Sequence, residues 1–114
     1  MNIHVEQRPS LIEATIEGRF DAHGIGRFHD RVVDRVDTLY PNVIIDLSRV
    51  EFMDSSALSA LVKTLKRTME HRGSIVLAGV ADAARIILEL TRLDEVFPQA
   101  PTVDEARRLL IAAV

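Results

Sequence analysis

The first residues alternate. Ile3, Val5 and Gln7 fall on one side of an extended segment, and His4, Glu6 and Arg8 on the other. That period of two predicts a short, mostly polar strand. Pro9-Ser10 breaks it as a turn. Leu11 to Glu17 alternates again, with Ile12, Ala14 and Ile16 on one face and Leu11, Glu13, Thr15 and Glu17 on the other. So short a connection predicts an antiparallel hairpin. Gly18-Arg19-Phe20-Asp21 closes the second strand, and Asp21 is the expected N-cap of a first helix.

Beyond Asp21 the period changes. Ile25, Phe28, Val32, Val36 and Leu39 recur at helical spacing up to Pro41, with Val33 widening the stripe. Arg27, Arg31 and Arg35 recur every four residues and read as a solvated helix face. Asn42 to Leu47 is a near-continuous apolar run, the pattern of a central, buried strand. Asp46 is expected to end that strand, with Glu51 in a loop. Leu58, Leu61, Val62, Leu65 and Met69 mark a second amphipathic helix, with Gly73 as its expected C-cap. Ser74 to Gly79 is another buried strand. Asp82 is the expected cap of a third helix with Ile86, Ile87, Leu90 and Leu93 inward. Glu95-Val96-Phe97 reads as a short last strand. Thr102 and Glu105 form a capping-box pattern before a last helix with Ala106, Leu109, Leu110 and Ala113 as its stripe.

The order β-β-α-β-α-β-α-β-α predicts a small α/β domain. It has a mixed sheet of about five strands, mostly parallel, with the N-terminal hairpin strand antiparallel. Right-handed crossovers between neighbouring strands place the four helices mainly on one face. At 114 residues, one domain over 1–114 is expected. With 47% apolar and 27% charged residues, the chain is neither disordered nor membrane-embedded in composition. No apolar stretch reaches membrane-spanning length, and the N-terminus lacks a signal-peptide core. A cytoplasmic location is expected. There is no cysteine, which removes thiolate chemistry and cysteine-ligated metal sites. The net charge of −3, without a basic tail, disfavours direct nucleic-acid binding.

Most candidate chemistry fails on spacing. Gly24-Ile25-Gly26 lacks the third glycine of a dinucleotide loop, a place taken by His29. His4, His23, His29 and His71 are dispersed, so no metal site is expected. Ser55 and Ser56 lack the glycines of a nucleophile elbow, and no histidine stands ready as their base. Asp46, Glu51 and Asp54 read as solvated acids rather than a catalytic pair. Neither an enzyme nor a cofactor is expected. A helix N-terminus at Ser55-Ser56 leaves only a generic anion site for a small-molecule or nucleotide reading.

What remains is Ile44-Ile45-Asp46-Leu47-Ser48-Arg49-Val50-Glu51-Phe52-Met53-Asp54-Ser55-Ser56-Ala57-Leu58. This segment resembles the STAS family, most closely the bacterial anti-sigma-factor antagonists. Gly18-Arg19-Phe20-Asp21, the stretch Arg85 to Phe97, and Thr102 to Ala106 resemble further family segments in the right order. The resemblance implies an interaction switch. Ser55 matches a serine phosphorylated by a partner, an anti-sigma factor serine kinase. A metal-dependent serine phosphatase reverses the modification. The unphosphorylated form binds the kinase and frees the sigma factor. Asp21, Asp54, Ser55, Ser56 and Ala57 match positions at or beside the partner contact. Ala57 stands where the family usually has glycine, and its methyl is expected to meet the partner. The alternative is a non-phosphorylated STAS scaffold, or an accessory subunit in a sensory or lipid-transport complex. A monomer or weak dimer is expected.

Overall fold

A computed structural model of the chain describes residues 1–112. Five strands form one sheet in the order β1-β2-β3-β4-β5: β1 Asn2–Arg8, β2 Leu11–Phe20, β3 Asn42–Met53, β4 Ile75–Ala78 and β5 Gln99–Ala100. β1 and β2 are the expected antiparallel hairpin, and every other pairing is parallel. The helices are α1 Ile25–Arg31, α2 Ser55–Glu70, α3 Asp82–Leu90 and α4 Val103–Ala112. Each strand neighbours the next, so α1, α2 and α3 cross over in one direction and share one face. Their core joins Phe28, Leu61 and Leu88 to Ile12, Ala14, Ile16, Val43, Ile45, Leu47, Ile75 and Leu77. α4 is the exception. It follows the last strand, is part of no crossover, and packs Ala106 with Ile44, Val76, Ala78 and Ala100 on the other face.

Several element boundaries differ from those expected, each for a local reason. α1 stops at Arg31, and Val33–Arg35 is a 3-10 turn. Asp37 Oδ1 accepts the amides of Leu39 and Tyr40 at 2.9 Å each, a turn that replaces continued helix. Leu39 is therefore outside the core, 72% exposed. Asp21 does not cap α1; Gly24 occupies that position without a side-chain cap. At the end of α2 the left-handed residue is Arg72 (φ 61°), not Gly73. The amides of Arg72 and Gly73 return to the carbonyls of Met69 and Thr68, a Schellman closure. Glycine is required at 73 for space: a Cβ there would lie 1.8 Å from the Pro41 carbonyl oxygen. Met69, expected inward, is exposed.

α3 is rotated relative to its predicted stripe. Ala84 and Leu88 are fully buried, Ile87 and Leu93 partly so, while Ile86 and Leu90 face outward. Asp82 lies in the first turn and Ala81 is the N-cap. The last strand comes later than expected. Leu93–Glu95 makes a 3-10 turn after left-handed Arg92, Phe97 plugs the core, and pairing begins at the Pro98 carbonyl, which accepts the Leu77 amide at 2.9 Å. The α4 cap is as expected: Thr102 Oγ1 accepts the Glu105 amide at 3.1 Å. Ala113, the last residue of the predicted stripe, lies outside the described residues.

The face carrying α4 is not simply open. Glu13 of β2, expected on a polar face, is almost fully buried beneath α4. Both its carboxylate oxygens take the Arg107 guanidinium, and Arg8 Nε donates to it at 3.0 Å. The hydrogen bond from Arg107 is the largest influence on the carboxyl. Desolvation opposes it, Arg8 adds to it, and the result is a pKa below the ordinary glutamate value.

Candidate functional site

The site sits where the parallel strands β2 and β3 end and α2 begins. β3 is longer than its partner because two irregularities insert extra residues opposite β2, between Thr15 and Glu17 and between Gly18 and Arg19. Asp46 therefore does not end the strand, and Glu51 lies within it. The bulges change the inward period from two to three, so that Leu47, Val50 and Met53 all face the helices. Phe52 turns outward, and Asp54 arrives at the top of α2.

Asp54 is the N-cap of α2 and joins three segments. Its Oδ1 accepts the amides of Ser56 at 2.9 Å and Ala57 at 3.1 Å. Its Oδ2 accepts the Ala22 amide at 3.2 Å, which ties the loop after β2 to the helix. The Asp54 amide reaches the Phe20 carbonyl at 3.4 Å. That same loop carries Asp21. Asp21 Oδ1 accepts the His23 amide at 3.1 Å, and Oδ2 accepts Arg19 Nε at 3.2 Å. Desolvation raises the Asp21 pKa, but the Arg19 guanidinium and the His23 amide outweigh it and leave the carboxyl below the ordinary aspartate value. Arg19 also stacks over the Phe52 ring, 4.0 Å from its centroid. Neither the Arg19–Phe52 stack nor the Asp54–Ala22 tether was expected from the sequence. Both depend on the bulged register, which leaves no period of two to read.

Ser55, Ser56 and Ala57 descend into the molecule in order. Ser55 is exposed as the first helical residue, Ser56 is half-buried, and Ala57 is fully buried. The expectation that the Ala57 methyl meets a partner is corrected: it packs in the core beneath the helix start. Asp21, Asp54 and Ser55 are brought together. The nearest carboxylate to Ser55 along the chain, that of Asp54, is engaged by three amides. Among the described residues no group of three or more histidine and carboxylate side chains is placed to hold a metal ion. No helix among them is long and apolar enough to cross a membrane.

These features define a small mixed-sheet domain that presents a capped helix start and its neighbouring loop as a surface. A family model described as the STAS domain matches residues 2–106, and the chain belongs to that family. The chain is similar to an anti-sigma-B factor antagonist of Staphylococcus aureus, 22% identical over 83% of this chain and 88% of that protein. It is similar in structure to an anti-sigma-factor antagonist (STAS) domain protein from Planctomyces limnophilus. That pair has a TM-score of 0.85 and 26% identity, over 96% of this chain and 97% of the other. It is also similar to the phosphorylated form of the Bacillus cell fate determinant SpoIIAA. Here the TM-score is 0.77 and the identity 15%, over 95% of this chain and 99% of the other.

Proposed function

We propose that the chain is an anti-sigma factor antagonist, a non-enzymatic switch controlled by phosphorylation of Ser55. In its unphosphorylated form it binds an anti-sigma factor serine kinase and so releases the sigma factor. A metal-dependent serine phosphatase restores that form. The observation that carries this reading is the exposed Ser55 hydroxyl at the first position of α2, next to an Asp54 fixed by both the helix and the Asp21 loop. The similarity to a structure determined in a phosphorylated form supports it.

The physics of the switch is local. A helix start tolerates an added anion, an effect of about 0.3–1 kcal/mol when exposed. The amides of Ser56 and Ala57 are already taken by Asp54, so the phosphate projects outward rather than folding back into the helix end. The fold is unchanged by it. The docked surface is not: the phosphate adds about −1.5 to −2 charges beside Asp54 and Asp21. An unpaired charge buried in a contact costs several kcal/mol, and each ~1.4 kcal/mol is tenfold in affinity. Asp21, Asp54, Ser55 and Ser56 form the partner-facing set; Ala57 supports it from below.

The test is the intact mass and peptide map of the protein purified from its own host under several stresses. A single phosphate on Ser55 whose occupancy changes with conditions is expected. A chain unmodified in every condition overturns the phosphoswitch and leaves the non-phosphorylated scaffold as the reading.

A further inference from the structure

β1 is an edge strand. Its inner side pairs with β2 in an unbroken register from Asn2 opposite Glu17 to Arg8 opposite Leu11. Its outer side is met by α1. Arg27 Nη2 donates to the Met1 carbonyl and Arg31 Nη1 to the Ile3 carbonyl, each at 2.8 Å. The arginine face is exposed, as expected, and its guanidinium groups also clamp a strand edge. In an antiparallel strand the N–H and C=O of one residue point the same way, and the direction alternates along the chain. Outward carbonyls at Met1 and Ile3 therefore place the backbone groups of Val5 and Gln7 outward as well. A helix advances about 6 Å in four residues and a strand about 6.8 Å in two. Arginines 27, 31 and 35 thus run in step with residues 1, 3 and 5. The third rung is missing. α1 ends at Arg31, and Arg35 Nε donates instead to the Asp30 carbonyl at 3.3 Å. Val5 and Gln7 line a cleft of about 200 Å³ beside Arg31 and Arg35.

The geometry points to the outer edge of β1 as a strand-pairing surface for a second copy of this chain, held shut by Arg27 and Arg31. Around a two-fold axis at Val5, antiparallel pairing sets Val5 opposite Val5, Ile3 opposite Gln7, His4 opposite Glu6 and Asn2 opposite Arg8. Half-buried Val5 meets itself, and a basic residue meets an acidic one on the opposite face. The register uses the outward backbone groups of Ile3, Val5 and Gln7. The clamp opposes it twice. Arg31 occupies the Ile3 carbonyl that the second copy's Gln7 amide needs. The two-fold also brings the α1 arginine stripes of both copies together on one side of the continued sheet, where like charges repel. Open strand edges are templates for association, and charged side chains are a common means of closing them. This inference is independent of the Ser55 reading, because the surface contains none of the residues of that site.

Sedimentation velocity and light scattering on three purified proteins test it: wild type, Arg27→Ala/Arg31→Ala, and that pair with Val5→Pro added. Wild type is expected at the 12.7 kDa of one chain. The double variant is expected to rise with concentration towards twice that mass, with slowed amide exchange at Val5 and Gln7. Adding Val5→Pro is expected to return it to one chain, because the Val5 amide points away from β2 and its loss interrupts only the intermolecular ladder. A wild-type dimer overturns the clamp. A double variant that stays a single chain with a native circular dichroism spectrum overturns the pairing surface. A dimer that survives Val5→Pro overturns it too, by placing association elsewhere. Should the double variant lose its fold, Arg31→Ala alone carries the test. It frees the Ile3 carbonyl, so a weaker dimer supports the inference and a single chain overturns it.

Discussion

Replacing Asp54 by alanine removes the acceptor of three amides, two in α2 and one in the loop after β2. Loss of an N-cap costs about 0.5–2 kcal/mol, and the added loop tether places Asp54→Ala at the upper end of that range. Asp54→Asn keeps the acceptor of the two helix amides but turns an NH2 donor towards the Ala22 amide, so it recovers the cap and not the loop tether. Denaturant titration of the three proteins reads this directly; equal midpoints for wild type and Asp54→Ala would show that the cap contributes nothing. Gly73→Ala is harsher, because the new Cβ would lie 1.8 Å from the Pro41 oxygen and the backbone must move. Its cost lies at or beyond the top of the about 1–3 kcal/mol typical of overpacking, and a thermal melt checks it. Glu13 is expected to contribute to the response to acid. Its folded pKa is below the ordinary 4.5, so its stabilisation is complete above that value and is lost as pH falls through the folded pKa. Stability measured below pH 4.5 should therefore fall more steeply in wild type than in Glu13→Gln. Parallel curves would remove the Glu13–Arg107 pair from the explanation of acid sensitivity.

The helices show what periodicity reveals and where it misleads. The order of strands and helices follows from alternation and helical spacing, because burial on one side of each element imposes those periods. The rotation of α3 does not. Ile86 and Leu90 are large and correctly spaced, yet small Ala84 and Leu88 face the sheet. A nine-residue helix offers two overlapping stripes, and the fit against β3 decides between them. Leu88→Ala should cost about 2–5 kcal/mol. Leu90→Ala, on the exposed side, should stay within about 0.5 kcal/mol. Chemical denaturation of both separates the observed face from the one that hydrophobicity alone favours, and reversed costs would place α3 the other way round. The end of β3 was hidden for a related reason. Its bulges make Leu47, Val50 and Met53 inward at a period of three, which neither a strand nor a helix template matches. The arginines of α1 are solvated as expected, but their bonds to β1 were not legible, because carbonyl acceptors on a strand edge leave no mark in the side-chain pattern.

For the molecule as a whole, the family was legible, and so was the helix start that carries the candidate site. Asp54-Ser55-Ser56 is capping chemistry at a helix start, and its neighbours in order along the chain carry the resemblance. What the tripeptide could not tell is which residue faces outward. That follows from three-dimensional descent: Ser55 exposed, Ser56 half-buried, Ala57 buried. The same descent puts the Ala57 methyl in the core rather than on the surface, and it serves the helix, where alanine is favoured over glycine by about 1 kcal/mol. It also separates the two consequences of modifying Ser55. On the proposed reading, charge added at an exposed first turn is expected to leave stability almost unchanged, and charge added to a docked surface to remove affinity.

That separation is measured most directly by calorimetric titration of the unphosphorylated protein, Ser55→Ala and Ser55→Asp with the serine kinase recovered on the Ser55→Ala variant, alongside their thermal melts. The expected result is tight binding by the unphosphorylated protein and Ser55→Ala. For Ser55→Asp, a loss of tenfold or more is expected, about 1.4 kcal/mol at the least, with no comparable change in melting. Equal binding by Ser55→Asp, or a loss of binding that tracks a loss of stability, would contradict a switch that works by charge at the surface.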